Sequence, residues 1–124
     1  MRINNENLLD GVSTSLGADW VSEVLYLGHI AQYSIQLVFT GTPDGVFKLQ
    51  CSNDQGHPNA QSKAEQSADV VNWTDIAGSS QIVTDAGDLT YNSENVGYLW
   101  VRVVWVYNAS TGTLSSVRAN VKGV

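Results

Sequence analysis

Residues 30–40, IAQYSIQLVFT, set Ala31, Tyr33, Ile35, Leu37 and Phe39 against Gln32, Ser34 and Gln36. That period of two is the signature of a strand with one buried face. The same reading extends along the chain. WVSEVLYLG (20–28) is a strand ending at Gly28, and VFKLQCS (46–52) opposes Phe47, Leu49 and Cys51 to Val46, Lys48 and Gln50. Between the second and third of these runs lies GTPDG (41–45), whose Pro and Gly suit a hairpin. Residues 53–70 form the longest polar stretch and predict a surface loop. NWTDIAG (72–78) and QIVTDAGDLTYNS (81–93) supply short strands broken at Gly78 and Gly87. NASTG (108–112) is a turn, and TLSSVRANVKG (113–123) closes the chain.

No window holds apolar residues at i, i+3, i+4 and i+7 for three helical turns. Six to eight short strands at this spacing predict an all-β chain, a single antiparallel β-sandwich of Ig-like or jelly-roll-like type. With no internal repeat, low-complexity tract or linker, residues 1–124 read as one domain, with 1–19 as a candidate docking arm.

One run breaks the pattern. YLWVRVVWVY (98–107) carries a single charge, Arg102, and both of its faces are apolar. The odd set (Leu99, Val101, Val103, Trp105, Tyr107) reads as core. The even set (Tyr98, Trp100, Arg102, Val104, Val106) also needs a cover, because exposed apolar area costs about 25 cal/mol per square ångström and makes an adhesive patch. Three covers suit it: the terminal MRINNENLL folded over, a neighbouring subunit, or a central strand packed on both sides within one chain. Arg102 would then pair with a carboxylate or with carbonyl groups at the contact.

Composition narrows the partners. Charged residues make up 15% of the chain and the net charge is −6, with Arg2, Lys48, Lys63, Arg102, Arg118 and Lys122 scattered. Nucleic acid is disfavoured, since phosphate binding needs clustered cations. The start lacks the apolar run of a signal peptide, and no stretch is long enough for a membrane span, so the expectation is synthesis in the cytoplasm and no membrane partner. Cys51 reads as a buried thiol on the Phe47 and Leu49 face. His29 and His57 with one thiol make a zinc site improbable, and no metal or other cofactor is expected. A Cys–His nucleophile pair is the weaker reading of the same residues.

Asp44, Asp54, Asp75, Asp85, Asp88 and Glu94 all fall in predicted turns, where carboxylates bond the local backbone. A small hydrolase would instead need two of them facing across a cleft. DAGD (85–88) lacks the ligand count of a calcium loop. The triplets NWT and NAS, glycan acceptors in a secreted protein, read as chance. No nucleophile elbow, phosphate-binding loop or dinucleotide fingerprint is present, so no catalytic residue is assigned. Aromatic rings carry more information. Trp105, Tyr33 and Tyr107 share faces with aliphatics, whereas Trp20, Trp73 and Trp100 are candidate stacking platforms for a sugar.

The order GVFKLQCSND, NWTDIAGSSQIVTDAGDLTYN, YLWVRVVWVYNASTGTLSSVRANVKG resembles a recurrent virion structural domain of tailed bacteriophages, over about residues 30–124. The resemblance rests on Trp73, Asp75, Ile76, Tyr98, Val101, Arg102, Val103, Gly112, Lys122 and Gly123. It implies a small β-sandwich of the head, tail or fibre, a non-enzymatic, multicopy part located in the virion, and structural roles for those positions. The chain is accordingly expected to bind copies of itself and other virion proteins through Tyr98, Trp100, Arg102, Val104 and Val106. The alternative expectation is a carbohydrate-binding module of host recognition, using Trp20, Trp73 or Trp100.

Overall fold

The computed structural model describes residues 3–9, 11–28, 30–56, 68–94 and 96–123, and within them every regular element is a strand. These are β1 (Ile3–Asn7), β2 (Thr14–Ser15), β3 (Trp20–Val21), β4 (Leu25–Tyr26), β5 (Ile30–Gly41), β6 (Asp44–Ser52), β7 (Thr74–Asp75), β8 (Gln81–Val83), β9 (Gly87–Glu94), β10 (Trp100–Ala109) and β11 (Gly112–Gly123). One sheet has the order β1-β11-β5-β9, with β2 on β11. The other has the order β3-β10-β6-β7, with β4 on β10 and β8 on β6.

All pairs among the described residues are antiparallel and four of them nest, from the innermost outwards: β6 with β8, β5 with β9, β4 with β10, and β1 with β11. A long hairpin wound so that successive pairs fall in alternate sheets has this order, which is the jelly-roll arrangement of a β-sandwich. The expected sandwich is therefore present, and of the two types named above it is the jelly roll.

Winding corrects the local expectation at residues 41–45. Rather than closing a hairpin, GTPDG carries the chain from β5 in the first sheet to β6 in the second, because β5 finds its partners in β9 and β11. NASTG does the same between β10 and β11. At both places Gly41 (φ 81°) and Ser110 (φ 62°) adopt left-handed backbone, which turns the chain sharply out of one sheet. The run 20–28 is also not one strand. It makes two short pairings to β10, through Trp20–Val21 and Leu25–Tyr26.

The core lies between the sheets. From β5 come Tyr33, Ile35, Leu37 and Phe39, and from β10 come Val101, Val103 and Trp105. On β11 the buried set changes parity, from Leu114 to Val117, Ala119 and Val121, across a bulge between Leu114 and Ser116. The N-terminal segment belongs to this architecture. β1 pairs with β11, while Leu8, Leu9 and Leu16 are buried in the core, so residues 3–9 do not cover the even face of β10. Tyr107, expected in the core, is 38% exposed near the end of β10.

Gly45 marks the tightest approach between β6 and β10. A Cβ there would stand 2.3 Å from the Val106 carbonyl oxygen and 2.7 Å from the Trp105 ring. Gly45→Ala is expected to lower stability by about 1–3 kcal/mol, as overpacking does. A urea midpoint that falls with an unchanged slope checks it.

Candidate functional site

The outer face of the second sheet is built in rows that the strand register lines up. Tyr26, Trp100 and Ser52 form the first row, and Arg102, Gln50 and Asp75 the second. Val21, Val104 and Lys48 form the third, and Val106, Val46 and Ile82 the fourth. Strands lie about 4.8 Å apart, so side chains in a row touch.

The first row is closed by the chain itself. Trp100 is 1% exposed. Its ring lies 4.9 Å from that of Tyr26, and its Nε1 donates to the Asp54 carbonyl oxygen at 2.9 Å. Asp54 in turn gathers the two ends of the 53–70 segment. Its carboxylate accepts from the backbone N–H groups of Val71 (2.8 Å) and Asn72 (2.7 Å) and from the Asn72 amide. Residues 57–67 of that segment, including His57 and Lys63, lie outside the described residues, as do His29 and Arg2.

The second row is a polar network. Gln50 Oε1 accepts from Arg102 Nε (2.9 Å) and Nη2 (2.7 Å), while Gln50 Nε2 donates to Asp75 Oδ1 at 2.9 Å. Lys48 Nζ completes it, 2.9 Å from Asp75 Oδ2. The Arg102 guanidinium also lies 4.1 Å above the Trp73 ring, and Trp73 Nε1 donates to the Val70 carbonyl. Partial burial pulls the Arg102 pKa down from its ordinary value.

Hydrogen bonds hold two carboxyls below the usual range. For Asp54 the largest cause is the Asn72 N–H, and for Asp75 it is the Gln50 amide, followed by Lys48. A carboxyl with a depressed folded-state pKa adds stability above its unfolded value, about 3.9, and loses that contribution as pH falls through the folded value. Thermal melts should accordingly be flat from pH 7 to about 5 and decline below about pH 4. Asp54→Asn should flatten part of that decline; an identical acid limb in the variant contradicts the assignment.

The third and fourth rows hold the exposed apolar surface. Ile82 is 82% exposed, Val21 44% and Val106 40%, with half-buried Val104 and Val46 between them. Four strands contribute to one continuous aliphatic patch bordered by the Arg102 network.

The predicted residues thus divide. Arg102, Val104 and Val106 lie on this face. Trp100 belongs to the same strand side but is sealed by Tyr26 and the Asp54 turn, which corrects its assignment to a free surface. Tyr98 precedes β10, so the alternation does not reach it, and its hydroxyl bonds that of Tyr33 on the core side. Among the sugar-stacking candidates, Trp20 packs against the core beside Trp105, and Trp73 lies beneath Arg102. Trp100 has no free ring face. Val21, Val46 and Ile82 were not predicted, since each is a lone aliphatic in a polar setting and only the register unites them. Cys51 is half-buried, and burial raises its thiol pKa.

The sandwich has counterparts among solved structures. The SPBc2 prophage-derived protein YomS is 16% identical with a TM-score of 0.50, over 98% of this chain and 95% of that one. The fold is shared with a prophage protein. A chitosan-binding module from a Paenibacillus chitosanase/glucanase is 19% identical (TM-score 0.47, 94% of this chain and 92% of that one). The coat protein of Tobacco streak virus is 9% identical (TM-score 0.46, 99% and 87%). At these identities the likeness to YomS extends to the fold and no further. No family model and no curated protein sequence matches the chain.

Proposed function

We propose that the chain is a non-enzymatic structural subunit of a tailed-phage particle, assembling in multiple copies through the aliphatic rows of its second sheet. Val21, Val46, Ile82, Val104 and Val106 are the contact, and Arg102 and Lys48 are its polar rim. The observation that carries the reading is Ile82, 82% exposed at the centre of no polar network and continuous with four other aliphatics. A patch of this kind on a sheet face marks a contact with another protein. Support from kinship is the prophage origin of YomS, which shares the fold, together with the resemblance of residues 30–124 to phage virion domains.

In this reading the subunit is made in the host cytoplasm, ends in the virion, and works by burial without a cofactor. Its partners are copies of itself and neighbouring virion proteins. A saccharide reading through Trp20, Trp73 or Trp100 has less support, because Trp100 is sealed, Trp73 lies under Arg102 and Trp20 packs against the core. Electron cryomicroscopy of purified particles tests the proposal. The expected result is the chain in regular multiple copies with Ile82 against a neighbour; particles that lack the chain, or that leave Ile82 facing solvent in every copy, overturn it.

A further inference from the structure

The opposite surface of the sandwich has a different chemistry. On the outer face of the first sheet, the register places Ile3, Lys122, Gln32 and Glu94 in one row and Asn5, Asn120, Ser34 and Asn92 in the next. Asn7, Arg118, Gln36 and Thr90 make the third row. Carboxamides dominate. Asn is among the residues depleted in strands, and Thr would serve better on a face that only needs to be wet. Asn5 Nδ2 donates to Asn120 Oδ1 at 2.7 Å, and Asn7 Oδ1 accepts from the Leu9 N–H. Gln32, Ser34 and Asn92 make no side-chain hydrogen bond with another described residue, so their donors and acceptors face outwards.

These side chains also line a depression. Gln32, Ser34, Asn92, Glu94, Asn120 and Lys122, together with Tyr33 and Ser93, line a half-open depression of about 500 Å³ across β5, β9 and β11. That volume falls within the range of small-ligand sites. One cation and one anion balance there, which disfavours a polyanion, and seven of the eight lining residues are polar or charged with Tyr33 the one aromatic, which disfavours a lipid or a hydrophobic peptide.

We infer that this depression is a saccharide site that takes a neutral, hydroxyl-rich chain. Each carboxamide presents a donor and an acceptor side by side, the complement of paired hydroxyl groups; Asn120 and Asn92 flank Ser34 in one row, with strands about 4.8 Å apart, and Gln32 stands in the next row. Lys122 and Glu94 bracket Gln32 in its row, Lys122 donating at one end and Glu94 accepting at the other. The site shares no residue with the assembly face, so either proposal survives the failure of the other.

The test is a titration of the isotope-labelled chain with hexasaccharides of glucose, galactose, mannose and N-acetylglucosamine, followed by amide NMR shifts. At least one is expected to bind with a millimolar or tighter Kd and to move resonances of β5, β9 and β11. The double variant Gln32→Thr/Asn92→Thr should weaken binding about tenfold or more, as loss of two hydrogen-bonding groups does. Because Thr suits a strand, the variant should melt no lower than the parent, which separates lost binding from lost folding. No shift with any of the four sugars at about 10 mM, weaker than any useful site, overturns the inference. So do shifts confined to other strands, or undiminished binding by the double variant.

Discussion

Trp100→Glu is expected to unfold the chain rather than release it from an assembly. The indole is 1% exposed, and its Nε1 holds the Asp54 carbonyl. A carboxylate placed there would be buried without a partner and would leave that carbonyl unsatisfied. Changes of this kind sit in the extreme tail, about 4–5 kcal/mol, which approaches the whole stability of a small domain. Urea titration followed by circular dichroism reads the effect. Trp100→Phe, which keeps the ring against Tyr26 and loses one hydrogen bond, should cost about 1 kcal/mol beyond its smaller volume. A Trp100→Glu protein with parental stability would show that the ring is not covered by its own chain.

Trp105→Ala is the second large effect. Trp105 is fully buried, its ring lies 4.5 Å from that of Phe47, and Phe47 in turn lies 5.5 Å from Phe39, which joins the two sheets through aromatic contacts. Its Nε1 donates to the Leu16 carbonyl at 3.0 Å, tying the N-terminal segment to the core. Truncation leaves a cavity worth about 3–5 kcal/mol. Loss of the hydrogen bond adds to it, so the variant should be marginal at 25 °C. Trp105→Phe should recover most of the loss. Equal stabilities for the alanine and phenylalanine variants would contradict the role given to the ring.

The all-β character and the buried face of β5 were readable from alternation alone, because Tyr33, Ile35, Leu37 and Phe39 all meet the core. The winding of the chain was not. Turn residues such as those of GTPDG serve a hairpin and an arch between sheets equally well, and what separates the two is the pairing of β5 with β9 and β11, remote in sequence. Parity in β11 was hidden for a similar reason, since a bulge shifts the buried set without changing composition.

The question posed by the even face of β10 has a divided answer for the same physical cause. Its cover at Trp100 comes from Tyr26 and Asp54, which are distant along the chain. Its uncovered part gains Val21, Val46 and Ile82 from three other strands. In each of those strands the aliphatic looks like an isolated surface residue of the kind every protein carries. Spatial register turns them into a patch.

Sedimentation equilibrium of the parent chain beside Val106→Glu/Ile82→Glu examines the assembly face most directly. Both substitutions fall on exposed side chains, so the variant should keep the parental circular dichroism and melting behaviour. The expected result is a parent that associates with rising concentration and a variant that stays at the mass of one chain. A parent that is monomeric up to hundreds of micromolar, or a double variant that associates as the parent does, would contradict the account.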